Sequence, residues 1–205
     1  VARFSPTRQH FGKRPDTVEE DNGDGLPTPA IIKLKARRIL GIKEAAATLS
    51  RLPEPGESLH ALCTARMDLS DVIGALIGRL GRVEVLYIAT LGYNDQNLRA
   101  MLSWLDQRGA GSITLLASIF FRSHKGELWE ETLREFRERK QRAACCHSHA
   151  KVVAMHFASG TKLSIEGSAN LCGNGSGREQ FALINDAGLH DWHAAWIEEL
   201  VKQHG

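Results

Sequence analysis

From Glu57 onward, short apolar runs alternate with amphipathic stretches of helical period, and that alternation is the strongest constraint on what this chain can fold into. The spacing predicts an extended segment over 58–64, a helix over 69–80 and a strand over 83–91. Asn94 or Asp95 then caps a helix running through Gln107, which Gly109 and Gly111 end. A strand over 112–121 precedes a charged helix over 125–142, supported by Glu130 with Arg134, Glu135 with Arg139, and Glu138 with Arg142 at i, i+4. A long strand over 143–157 follows, then a turn at Ala158, Ser159 and Gly160 and a return strand over 162–165. A glycine-rich loop from Cys172 to Gly177 leads into a strand over 179–184, and a helix over 189–203 closes the chain. Strands interleaved with helices are the grammar of an α/β fold.

At 205 residues, 42% of them apolar, the chain can bury one sizeable core and does not require a second full domain. Residues 1–27 mix Pro, Gly, Asp, Asn and basic side chains without periodicity and read as a flexible arm. Thr28 and Pro29 can open a helix that continues to about Leu52, so the expected division is an arm (1–27), a basic helical extension (28–52) and the α/β domain (53–205). That extension carries Lys33, Lys35, Arg37, Arg38, Lys43 and Arg51 against one acid, Glu44. A solvated face is its bland reading, and contact with a phosphate backbone is the sharper one.

The net charge of +2 gives little support by itself to a polyanionic partner. No apolar run reaches the ~18 residues that span a bilayer, and the polar opening holds no signal-peptide core, so the expectation is a cytoplasmic protein without membrane association. Cys63, Cys145, Cys146 and Cys172 do not form a spaced disulfide framework and are expected as thiols.

The chemistry gathers after residue 146. If 143–157 is one strand, alternation sets Cys145, His147, His149, Lys151 and Val153 on one face. His149 beside Lys151 is a nucleophile next to a fixed cation, a pairing suited to phosphorus: imidazole attacks while the ammonium neutralises the non-bridging oxygens. Ser168 and Asn170 can bring a hydroxyl and an amide to the same anion, and a carboxylate at Glu179 could hold the other ring nitrogen of His149 and select its tautomer.

With Gly167, these residues resemble the signature of the phospholipase D-like phosphodiesterases: His-x-Lys, four residues, Asp, then Gly-Ser-x-Asn and a downstream Glu. The stretches "HSHAKVVAM", "IEGSANL" and "REQFALIND" carry the likeness, and the earlier strand and helix pattern is compatible with it. The resemblance implies a mixed β-sheet flanked by helices on both faces in a single domain. It implies a phosphohistidine formed without a metal or other cofactor, and a second histidine that protonates the leaving group. One motif per chain implies a homodimer that pairs two copies of His149. The departure is His156, which stands where the family has its Asp; on the strand phase above it faces away from His149.

Rival readings accompany this one. Cys145, Cys146, His147, His149 and Cys172 offer zinc-type ligands, but adjacent cysteines on a strand point to opposite faces. Trp104, Trp129, Trp192 and Trp196 read as core or interface anchors. The functional expectation is a nuclease acting on DNA; the alternatives are a catalytically inactive nucleic-acid-binding or assembly protein of the same fold and, behind it, a phospholipid hydrolase.

Overall fold

The computed structural model describes residues 44–63, 67–172 and 179–205. The expected arm and most of the basic helix, with Lys33, Lys35, Arg37, Arg38 and Lys43, lie outside them, as does most of the glycine-rich loop. Residues 44–48 are helical, and Ala45 and Leu49 are buried in the core, so this end of the expected extension packs onto the domain.

Strands β1 (Ser58–Cys63), β2 (Val83–Thr90), β3 (Ala110–Ser118), β4 (Arg142–Cys146), β5 (Val152–Phe157), β6 (Lys162–Gly167) and β7 (Glu179–Ile184) form one mixed sheet in the order β1-β7-β6-β5-β2-β3-β4. β2, β3 and β4 run parallel, and every other pairing is antiparallel. The helices are α1 (Leu69–Leu80), α2 (Asp95–Asp106), α3 (Ile119–His124), α4 (Gly126–Glu138) and α5 (Ala187–His204). On one face, Val72, Ile73 and Leu76 of α1, Leu98, Met101 and Trp104 of α2, and Trp129 and Phe136 of α4 join the main core. On the other, α5 lays Ile197 and Val201 over Ala89, Leu116, Ala144, Cys146 and Val152. Helices on both faces explain why β2 and β3 are nearly continuous apolar runs. The expected α/β class, mixed sheet and double-sided helix cover are what the structure has.

Three expected elements change most, the other boundaries shifting by one or two residues. The strand expected over 143–157 is two strands: β4 pairs with β3 at the sheet edge, whereas β5 lies between β2 and β6. Residues 147–151 therefore cross the ends of β3 and β2, about 14 Å at ~4.8 Å per strand, and five residues reach little further than that. An extended crossing keeps the look of a strand in sequence while losing its ladder. The strand expected to reach Phe121 stops at Ser118, whose Oγ accepts from Phe120 N at 3.3 Å and caps α3. The helix expected to reach Arg142 ends at Glu138, with Lys140 at φ 56. Among its expected pairs, Glu135 with Arg139 forms at 2.8 Å, while Arg134 turns to Glu135 and Arg142, now in β4, bonds Glu198 of α5 at 2.6 Å.

α5 also closes a polar cluster over β5 and β6. His190, buried, places Nδ1 2.9 Å from Asp191 Oδ1, and Lys162 Nζ donates to both Asp191 oxygens at 2.6 and 2.9 Å. The His156 ring stands edge-on to that of His190 at 6.1 Å. Burial pulls the His190 pKa below its ordinary 6.5, partly opposed by Asp191. The unfolded chain then binds a proton that the folded one refuses, so this group's contribution is complete above 6.5 and is lost as pH falls through the lowered value. His190→Leu is expected to flatten the acid-side decline of the urea midpoint between pH 7 and 5; an unchanged slope would count against this account.

Candidate active site

The parallel strands β2 and β3 end at Thr90 and Ser118, and the sheet changes direction there because β5 runs antiparallel to β2. Such a switch leaves a crevice beyond the strand ends, where chain crossings and loops meet. The taut connection 147–151 runs over this edge and carries the expected pair. Lys151 Nζ lies 3.3 Å from His149 Nδ1 and donates to the His149 carbonyl oxygen at 2.9 Å. The two side chains are thus adjacent, though from the crossing rather than from one face of a strand as expected. An ammonium can only donate, so Nδ1 accepts in this arrangement and the proton of a neutral ring sits on Nε2. Ser148 Oγ accepts from Ala150 N at 3.2 Å, and Ser148 N donates to Cys146 O at 2.9 Å, shaping the turn before His149.

A second pair stands at the neighbouring strand ends. Ser168 Oγ donates to Glu179 Oε2 and accepts from Gln180 N at 3.1 Å, while Ser168 N donates to Gln180 O at 3.0 Å. Gly167 makes this approach possible: a Cβ there would strike the Gln180 carbonyl oxygen and fall 2.8 Å from Phe181 Cα. Val152 pairs with Glu166 and Gly167 with Phe181, so the start of β5, the end of β6 and the start of β7 lie together at one end of the sheet. Asn170 Oδ1 is buried without a hydrogen-bond partner among the described residues.

Sequence reasoning passed over what holds the 168–172 loop. Asn97, buried in the first turn of α2, donates to Ser70 Oγ at 2.9 Å and to Leu171 O at 3.1 Å. Thr90 Oγ1 accepts from Leu171 N at 3.5 Å and donates to Gly92 O at 2.9 Å. The available signal was a Thr ending an apolar strand and an Asn inside a helix, each polar where burial was expected.

His156 faces α5, because Val153 and Met155 point into the main core and Val152 to the other face. The carboxylate beside that position comes from Asp191 of α5, which Lys162 first and His190 second hold below the usual range. Nearby, Glu166 meets His193 Nε2 at 2.6 Å and Trp196 Nε1 donates to His193 Nδ1 at 3.0 Å, so the His193 proton on Nε2 points at Glu166. Cys145 joins the main core and Cys146 the α5 side, the opposite faces expected of adjacent residues. Burial pushes the Cys145 thiol up to about 11, and raises Cys146 and Cys172 as well, which keeps all three protonated at neutral pH. Among the described residues, no three His, Cys, Asp or Glu side chains are grouped to hold a metal ion. Trp104 and Trp129 are buried as expected, whereas Trp192 is 62% exposed.

A cleft of about 490 Å³ opens at His149, lined by Leu91, Ser118, Ile119, Phe120, His147 and Ser148. No helix of the described residues is long and apolar enough to cross a membrane.

No protein-family model matches the sequence, and no curated protein matches it either. Solved structures do. The phospholipase D family member Nuc from Salmonella typhimurium aligns at a TM-score of 0.52 with 10% identity, over 73% of this chain and 96% of its own. Polyphosphate kinase from Porphyromonas gingivalis aligns at 0.53 with 10% identity, over 78% of this chain and 29% of its own. TrmBL2, an archaeal chromatin protein with a novel mode of DNA binding, aligns at 0.51 with 11% identity, over 85% and 63%. The chain thus spans nearly all of the first structure and less than two thirds of the other two. At this identity the likeness establishes the fold, which is phospholipase D-like.

Proposed function

We propose that this chain, on its phospholipase D-like fold, is a phosphodiesterase that cleaves nucleic acid, DNA in the first place, without a metal, through a covalent intermediate on His149. The observation that carries the reading is the contact of His149 with Lys151 on the crossing over the strand ends, at the same end of the sheet as the Ser168 and Glu179 pair of β6 and β7. A bound phosphate draws the Lys151 ammonium and the Ser168 hydroxyl to its oxygens. That exchange frees His149 Nδ1 and Glu179 for each other and moves the ring proton to Nδ1. Nε2 then attacks phosphorus, the P–O bond to the leaving oxygen breaks, and that oxygen takes a proton from a second imidazole. Water activated by the same imidazole cleaves the P–N bond. A homodimer supplies the second imidazole as another copy of His149, and the basic residues between Lys33 and Lys43 contact flanking phosphates.

His156 favours a second reading, an inactive nucleic-acid-binding protein of the same fold. Its position against α5 limits that argument, since the place of the motif's acid meets His190 there and makes no hydrogen bond to His149 or Lys151 among the described residues. The deciding experiment incubates the full chain with end-labelled single- and double-stranded DNA in EDTA, quenches early and maps any phosphate adduct by mass spectrometry, with phosphatidylcholine liposomes as a comparison substrate. The expected result is chelator-resistant DNA cleavage and an adduct on His149. DNA binding without cleavage or adduct would establish the second reading instead, and liposome hydrolysis alone would establish the phospholipid one.

A further inference from the structure

Phe120 is 57% exposed at the cleft that His149 lines. The other large exposed apolar side chains among the described residues, Leu62 and Trp192, do not line it. One neighbouring ring packs against that of Phe120, whose backbone carbonyl is hydrogen-bonded. His124 stacks against it at 4.1 Å between centroids and 36° between planes, and its Nδ1 donates to the Phe120 carbonyl oxygen at 2.8 Å. Ser123 Oγ donates to the same carbonyl at 2.9 Å. Arg122 and Lys125, both exposed, bring positive charge to the same short segment. An exposed aromatic ring flanked by cations, at the cleft that His149 lines, matches a ligand that is flat and apolar in one part and anionic in the next.

We propose that Phe120, backed by His124, is a stacking platform for an unpaired base next to the scissile phosphate, and that the site therefore selects single-stranded nucleic acid. This rests on the nuclease reading and adds the substrate's strand state to it. A base within a duplex has both faces covered by its neighbours, so reaching Phe120 requires the base to leave the stack, which costs free energy that a single strand does not spend. The cations of the segment then meet the phosphates on either side of the stacked base.

The test uses short single-stranded DNA oligonucleotides, intact or with one abasic residue moved along the strand, and measures binding by fluorescence anisotropy for the full wild-type chain, Phe120→Ala and Phe120→Trp. Wild type is expected to bind the intact strand roughly tenfold or more tightly than the strand whose abasic residue falls at one particular position. Phe120→Ala should bind both strands at the weaker level, and Phe120→Trp should restore the difference. Equal binding of all strands by wild type overturns the proposal, as does a uniform loss in Phe120→Ala that includes the abasic strand. A shift from dimer to monomer in Phe120→Ala with unchanged DNA binding overturns it too, and gives the face to a second copy. Absence of cleavage with the abasic effect intact would defeat the catalytic reading and leave the platform standing.

Discussion

Replacing His149 by asparagine is expected to slow phosphodiester cleavage on the order of 10³-fold or more while leaving the unfolding free energy, read by urea denaturation, within about 0.5 kcal/mol of wild type. His149 is exposed on the crossing, and its ring meets only Lys151 among the described contacts, so removing it opens no cavity. Asparagine keeps a polar group near the ring position but has no lone pair able to attack phosphorus. Lys151→Ala should cost less, roughly 10² to 10³-fold, because it removes charge stabilisation while sparing the nucleophile. The split shows in the adduct: His149→Asn forms none, whereas Lys151→Ala forms it slowly. Cleavage by His149→Asn within tenfold of wild type would refute the assignment of the nucleophile.

Gly167→Ala is expected to destabilise the fold by about 3 kcal/mol or more, a large effect for one methyl group. The added carbon would collide with the Gln180 carbonyl oxygen, which is backbone and part of the β6 to β7 ladder, so the two strands must separate. Separation also pulls Ser168 from Glu179, and activity should fall beyond what the unfolded fraction explains. Gly160→Ala provides the contrast: it sits at φ 87 in the hairpin turn with open space around it, and should cost only about 1–2 kcal/mol of backbone strain. Urea denaturation of both variants tests the order; Gly167→Ala as stable as Gly160→Ala would mean the strands yield more easily than a sheet should.

Elements whose burial is one-sided and whose ends carry caps were legible in sequence. α1 spans Leu69–Leu80 as its apolar period indicated, and α2 starts at the Asn94 cap, whose side chain accepts from Asn97 N at 3.1 Å. β7 likewise fills the range read for it. The break between β4 and β5 was not legible, because no Gly or Pro marks 147–151 and local pattern does not record which neighbour a strand pairs with. The same limit hid the sheet's order and the roles of Thr90 and Asn97, which act on residues some 80 positions away in sequence through bonds that only the finished fold supplies. At the candidate site the adjacency of His149 and Lys151 could be read, whereas the bond of Ser168 to Glu179 and the burial of Asn170 Oδ1 could not. Nor could it be read that Lys151, rather than a carboxylate, faces His149 Nδ1.

The place of β5 between β2 and β6 has a consequence for how the chain is made. During synthesis, β1 through β4 emerge first, and until 152–157 follow, the long apolar β2 presents an open row of amide and carbonyl groups. An uncovered edge of that kind invites pairing with another nascent copy. The crossing that carries His149 thus delivers, past the finished parallel half, the strand that seals this border.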